Sequence, residues 1–160
     1  MLTPREQGDI GELSAMCWLA SLGAHVAVPV GSSPHWDLMA ELDGRPTRIQ
    51  VKTSRCFRKG RWDVTLCTRG GNQSWNGLVK RLDASRYDYL FVLAGDGRRW
   101  FIPSERVGGG SGLRLGGPKY AEFEVQQGDP IPPARVEGAP LQSASRTTRG
   151  DVRVAKGMRL

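Results

Sequence analysis

Histidine and cysteine are scarce in this chain: of 160 residues, two are His and three are Cys. Cys17, Cys56 and Cys67 form no CxxC pair, and His25 and His35 have no soft ligand beside them. Neither a zinc cluster nor a disulfide framework is therefore expected. No apolar run reaches the about 18 residues that a membrane-spanning helix needs. The opening MLTPREQGDIGE lacks the charged-then-apolar layout of a secretory leader, so a cytoplasmic protein is expected. Acidic residues are outnumbered: 16 Asp and Glu stand against 23 Lys and Arg, for a net charge of +7. That balance favours polyanions as partners.

The positive charge is concentrated in two places. Arg45 to Arg61 holds seven Lys or Arg and no acid, and 143–160 holds five against Asp151. The length suits one domain with or without a tail, and the hydrophobic fraction of 39% is enough for one core. From Pro130 the chain is rich in Pro, Gly and Ser, and beyond about Ser143 disorder is expected.

The first helix is well signalled. Thr3-Pro4-Arg5-Glu6 reads as a capping box with Pro at the first helical position. Ile10, Leu13, Cys17 and Ala20 recur at helical spacing, and Gly23 is the expected stop. Gly8 and Gly11 weaken a helix by about 1 kcal/mol each, which implies close packing against something. Strands are expected at His25 to Val30, Trp36 to Leu42, Arg45 to Thr53, Trp62 to Cys67, Tyr89 to Leu93, Arg99 to Ile102 and Tyr120 to Val125. Leu78, Val79 and Leu82 fit a short helix, and Gly108 to Gly112 a flexible loop. Tyr89 to Leu93 is continuously apolar, as in a strand buried on both faces.

Asp43-Gly44 is a strong two-residue hairpin signal. Paired residue numbers then sum to 87, which sets Asp37 opposite Gln50, with Cβ atoms about 4.5–5.5 Å apart. Lys52 points to the same face, two residues on. Leu38, Ala40, Ile49 and Val51 form the opposite, core face. The alternative is that Asp37, Gln50 and Lys52 only line the wet side of a hairpin. Glu12 weighs against it: its helical neighbours are Gly8, Ala15, Met16 and Leu19, so its carboxylate should be partly buried and in want of a cation or donor.

Taken together, Gly8-x-x-Gly11-Glu12, Trp36-Asp37-Leu38 and Ile49-Gln50-Val51-Lys52-Thr53 resemble the PD-(D/E)XK nuclease superfamily, in particular the group I intron-associated homing endonucleases with this fold. The resemblance spans about Gln7 to Val107. It implies a restriction-endonuclease-like α/β fold, an αβββαβ core with a mixed central sheet flanked by helices, and an active site at Glu12, Asp37, Gln50 and Lys52. The expected organisation is a nuclease-like domain over 1–142, with its core at about 3–107 and a C-terminal strand extension at about 112–126, then a basic tail over 143–160. Two departures stand out. The Pro of the family's Pro-Asp is displaced, as Pro34-His35-Trp36-Asp37, and Gln50 replaces the acid of (D/E)XK, as in some members of the intron-associated family.

The expected chemistry is Mg²⁺-dependent hydrolysis of double-stranded DNA, with Mn²⁺ as a possible substitute. Asp37, Gln50 through its amide oxygen, the Val51 carbonyl and Glu12 would hold the metal, while Lys52 would orient the attacking hydroxide. Arg48, Arg55, Arg58, Lys59 and Arg61 would track the DNA backbone, and Trp75 would either stack on DNA or cap the core. Cutting both strands calls for two sites, hence a homo-oligomer. Three alternatives stay open: a Holliday-junction resolvase or repair nuclease on the same fold, a DNA-binding protein that kept the fold without cleavage, and a basic protein whose tail alone binds polyanions.

Overall fold

The structure, a computed structural model, describes residues 2–31, 33, 35–69 and 79–132. Trp75 and the 143–160 tail lie outside the described residues.

Helix α1 spans Pro4–Ser21. Its start is the expected capping box: the Glu6 N–H donates to Thr3 Oγ1 at 3.2 Å, and the Thr3 N–H donates to the Glu6 carboxylate at 2.7 Å. The chain leaves the helix through Gly23 at φ +82°, a conformation open to glycine at little cost. Strand β1 is Val26–Ala27, β2 is Leu38–Leu42 and β3 is Arg45–Ser54. Asp43 and Gly44, at φ 51° and 71°, make the left-handed turn between β2 and β3. The pairing runs from Leu42↔Arg45 to Leu38↔Ile49 without a bulge, as the hairpin signal predicts. Pro46, opposite Glu41, does not disturb it.

Next come β4 (Phe57–Arg58), β5 (Arg61–Thr65), β6 (Cys67–Arg69), β7 (Val79–Arg81), β8 (Tyr89–Ala94) and β9 (Arg99–Pro103). A four-residue helix, α2 (Ser104–Val107), precedes β10 (Gly112–Leu115) and β11 (Glu124–Val125). The main sheet has the order β1-β2-β3-β8-β9-β11. Its β3/β8 pair is parallel and its other pairs are antiparallel, so the sheet is mixed. A smaller sheet has the order β10-β5-β4, and β6 pairs with β7.

Two apolar layers sandwich the main sheet. On one face Ala15, Trp18 and Leu19 of α1 pack with Leu38, Ala40, Ile49, Val51, Phe91 and Leu93. On the other, Trp62, Val64, Leu113 and Leu115 of the smaller sheet pack with Leu90, Val92, Trp100 and Ile102. Strand β8 is accordingly buried on both faces, its residues alternating between the two layers. Truncating such a core leucine to alanine costs about 2–5 kcal/mol.

Three local expectations are corrected. The helix expected around Leu78 to Leu82 is the strand Val79–Arg81 followed by a 3-10 turn at Ala84–Arg86, with Leu78 outside the described residues. Edge pairing with β6 overrides a weak helical spacing. Tyr120 to Val125 is strand only at Glu124–Val125, because Pro118 opens a 3-10 helix over Pro118–Phe123. The glycine-rich segment ends at Gly112, which starts β10 and lies close against the Val64 carbonyl.

Candidate active site

Strand β3 has ten residues and β2 only five, so β3 outruns its partner. The edge that β2 leaves open is where the candidate residues gather. The Asp37 N–H donates to the Ile49 carbonyl at 2.9 Å, extending the ladder by one residue. The next edge donor, the Val51 N–H, goes to Asp37 Oδ2 at 2.7 Å. Gln50 Nε2 also donates to Asp37 Oδ2, and lies 3.4 Å from the Val51 carbonyl oxygen. Asp37 and Gln50 are thus side by side, as the register requires.

The face that carries Gln50 is not simply wet. Gln50 is only 6% exposed, and the strand beside it on β8 presents Leu90, in the layer under the smaller sheet. Lys52 is half-buried beside Val92.

Helix α1 brings Glu12 to this edge. Gly11 is buried, and a Cβ there would collide with the Thr53 Cγ2 methyl and come within 3.2 Å of Val51 Cγ1. The missing side chain lets the helix press onto β3. Gln7, one turn earlier on the same helix face, donates through Nε2 to Thr53 Oγ1 at 3.1 Å. Gln7 was not legible as a site neighbour, although its i, i+4 spacing to Gly11 was a usable signal. Gly8 is different: nothing lies within 4 Å of a Cβ built there, so its expected close packing is not observed.

The electrostatics follow from this crowding. Burial raises the Asp37 carboxyl above its ordinary value, against the Val51 N–H and Lys52, which lower it. Burial, Asp37 and Asp9 raise Glu12. Burial lowers Lys52, opposed by Asp37. Two carboxyls are held in a place that disfavours their charge, and an added cation would relieve both. Among the described residues no group of three or more His, Cys, Asp or Glu could hold a metal. Gln50, beside Asp37, brings an amide rather than an acid.

The expected DNA-contact residues divide. The Arg48 guanidinium is committed to Asp88: its Nε and Nη2 donate to the two carboxylate oxygens at 3.1 and 2.9 Å, and its backbone N–H donates to Oδ2 at 2.7 Å. That clamp ties β3 to the start of β8. Arg61 Nη1 donates to the Gly60 and Gly116 carbonyls. Arg55, Arg58 and Lys59 are exposed. His35 is half-buried.

A family model described as PD-(D/E)XK endonuclease matches residues 2–116. The solved structure of a bacterial homing endonuclease, I-Ssp6803I, matches with a TM-score of 0.59 and 21% sequence identity, covering 78% of this chain and 88% of that one. No curated protein matches the chain. The fold is therefore that of the restriction-endonuclease-like proteins, a mixed sheet between α1 and the smaller sheet. With α1, β2, β3 and all four candidate residues inside the matched span, the chain belongs to the PD-(D/E)XK endonuclease family.

Proposed function

We propose that this protein is a Mg²⁺-dependent endodeoxyribonuclease that hydrolyses phosphodiester bonds of double-stranded DNA at Glu12, Asp37, Gln50 and Lys52. The observation that carries the reading is the cluster at the open edge of β3. There the Asp37 carboxylate and the Val51 carbonyl flank one amide, that of Gln50, beside Lys52 and in the field of Glu12.

The donor set fits a hard cation. The Gln50 NH₂ donates to Asp37 Oδ2 and lies 3.4 Å from the Val51 oxygen. A half-turn of the amide would turn Oε1 there instead, giving three oxygens of the kind Mg²⁺ takes. Asp37, Gln50 and the Val51 carbonyl would hold the ion, with Mn²⁺ as a possible substitute, and Glu12 would hold a water or a second ion. Such an ion supplies an activated water and neutralises charge on the phosphate. Lys52 donates to the attacking oxygen and to the phosphate oxygens as charge builds there. Burial lowers the Lys52 ammonium and Asp37 opposes that shift, favouring the charged form that donates.

The domain would run over 1–142, with 143–160 as a basic tail that adds sequence-independent attraction to DNA. Cutting both strands calls for two such sites, hence a homo-oligomer, and the setting would be the cytoplasm. The test is plasmid cleavage with and without Mg²⁺ or Mn²⁺, for the wild type and Asp37→Asn. A panel of linear and branched duplexes in the same assay separates a homing-type enzyme from a junction resolvase or repair nuclease.

Gln50 supports a second reading: a DNA-binding protein that keeps the fold without cleaving. Its uncharged NH₂ already donates to Asp37 Oδ2, the carboxylate oxygen a metal would use. Intact plasmid after incubation with either metal, together with retained DNA binding, would favour that reading.

A further inference from the structure

The β4–β5 hairpin leaves the end of β3 and ends in a two-residue turn, Lys59 at φ 48° and Gly60 at φ 72°. It carries an aromatic that the site does not use. Phe57 is 56% exposed, the only strongly exposed aromatic among the described residues. Its ring is propped on Trp62, with centroids 4.9 Å apart, and Trp62 is itself buried in the core. The ring is therefore held out from the protein on a rigid support.

Its surroundings are uniformly cationic. Residues 55–62 contain Arg55, Arg58, Lys59 and Arg61 and no acid. The next acid, Asp63, is occupied by Arg114 at 3.0 Å. Arg55, Arg58 and Lys59 make no ion pair among the described residues.

The hairpin is also fastened to the candidate catalytic strand. Ser54, 4% exposed and two residues past Lys52, donates its hydroxyl to the Asp63 carbonyl and accepts the Cys56 N–H at 3.2 Å. The Asp63 N–H closes the base of the hairpin on the Cys56 carbonyl at 2.9 Å.

From these features we infer that the β4–β5 hairpin is a DNA-contacting arm, in which Phe57 packs its ring on a deoxyribose or wedges at a base step that it partly unstacks, while Arg58 and Lys59 take phosphates. Aromatic rings bind nucleic acid without regard to charge, and cations bind it through counterion release, so the two contributions separate in a salt series. The inference rests on the DNA reading proposed above, and Ser54 makes the arm's position a fixed distance from Lys52.

The experiment is fluorescence anisotropy of a dye-labelled duplex against the full chain carrying Asp37→Asn, across a KCl series without metal. In that background Phe57→Leu keeps an apolar cover over Trp62 but has no ring. It is expected to weaken binding about 5- to 50-fold at every salt concentration, with the salt slope unchanged. Phe57→Tyr should bind as its parent does. Arg58→Ala with Lys59→Asn, the Asn chosen for the left-handed position, should lower the slope by up to about 0.9 for each phosphate no longer neutralised. Near-UV circular dichroism reports whether Trp62 keeps its packing. Unchanged affinity in Phe57→Leu would show the ring to be only a lid on Trp62, and an unchanged slope in the double variant would remove the arm from DNA. Those two variants decide independently, so the double variant still tests the arm if Phe57→Leu misfolds. A parent that binds no duplex at all would overturn the arm and the DNA reading together.

Discussion

The Asp37 carboxylate takes the place of a missing β-strand: its Oδ2 accepts the Val51 N–H at 2.7 Å, on the edge that β2 leaves open after Leu38. One side chain thus satisfies a backbone donor and faces the Val51 carbonyl and Lys52. The choice of substitution at this position matters for that reason. Alanine would strip the Val51 N–H of its partner, at a cost of about 1–3 kcal/mol if the donor stays buried. Asparagine keeps an acceptor there and removes only the charge.

Asp37→Asn is expected to abolish cleavage with the fold retained. Lys52→Ala should lower the single-turnover rate about 100- to 1,000-fold, the usual loss when one transition-state donor is removed. Both are read by plasmid nicking alongside thermal melts. Wild-type nicking by either variant would contradict the site.

A pH series on metal-free protein tests the burial of Asp37. Its carboxyl is raised in the folded state, so between its ordinary value of 3.8 and its raised value the folded protein holds more proton than the unfolded. The stability associated with this group is therefore highest below that window and falls as pH rises through it. Asp37→Asn removes the effect. The melting temperature of the variant minus that of the wild type should grow from acidic to neutral pH. Mg²⁺ should then shrink the difference by stabilising the wild type alone. A difference that stays flat with pH would show that burial does not strain this carboxylate.

The two glycines of α1 should respond oppositely to alanine. Gly11→Ala drives a Cβ into the stiff Thr53 side chain. A loss of about 1–3 kcal/mol is expected, with weakened cleavage because Glu12 moves with the helix. Gly8→Ala meets nothing and should stabilise by about 0.5–1 kcal/mol with activity unchanged. Urea melts and nicking assays on both variants check this.

Much of this arrangement was legible in the chain, for a local reason. Asp43-Gly44 dictates the turn, the turn dictates the register, and the register sets Asp37 beside Gln50. Thr3-Pro4-Arg5-Glu6 dictates the start of α1. What was not legible depends on distant residues. Gln50 was legible as a site residue but its burial was not, since Leu90 and the smaller sheet supply it from far along the chain. Arg48 reads as a free cation until Asp88, forty residues on, binds it in two places. Val79–Arg81 carries a helical spacing that pairing with β6 overrules.

Gln50 variants separate charge from coordination. Gln50→Glu adds an anion against Asp37, where an amide N–H donates now. It should raise Mg²⁺ affinity in the free protein and weaken DNA binding in metal-free buffer. Gln50→Ala should lower activity at limiting Mg²⁺. Calorimetric metal titration of the three proteins, with nicking across a Mg²⁺ series, is the check. If Gln50→Ala matches the wild type in both, the amide takes no part in metal binding.

The parallel pairing of β3 with β8 bears on when the site comes into being. Glu12, Asp37, Gln50 and Lys52 all precede Ser54, yet the strand that flanks β3 on its far side begins only at Tyr89, and the Arg48–Asp88 clamp joins residues forty apart in the chain. Contacts this remote in sequence are slower to form than local ones, because closing the intervening chain costs entropy. A growing polypeptide still short of Tyr89 carries every candidate catalytic side chain and the β2–β3 hairpin, but not the strand that pairs with the other edge of β3. The candidate site is thus finished only by chain made after all four of its residues, since the β8 edge of β3 is filled from Tyr89 onward.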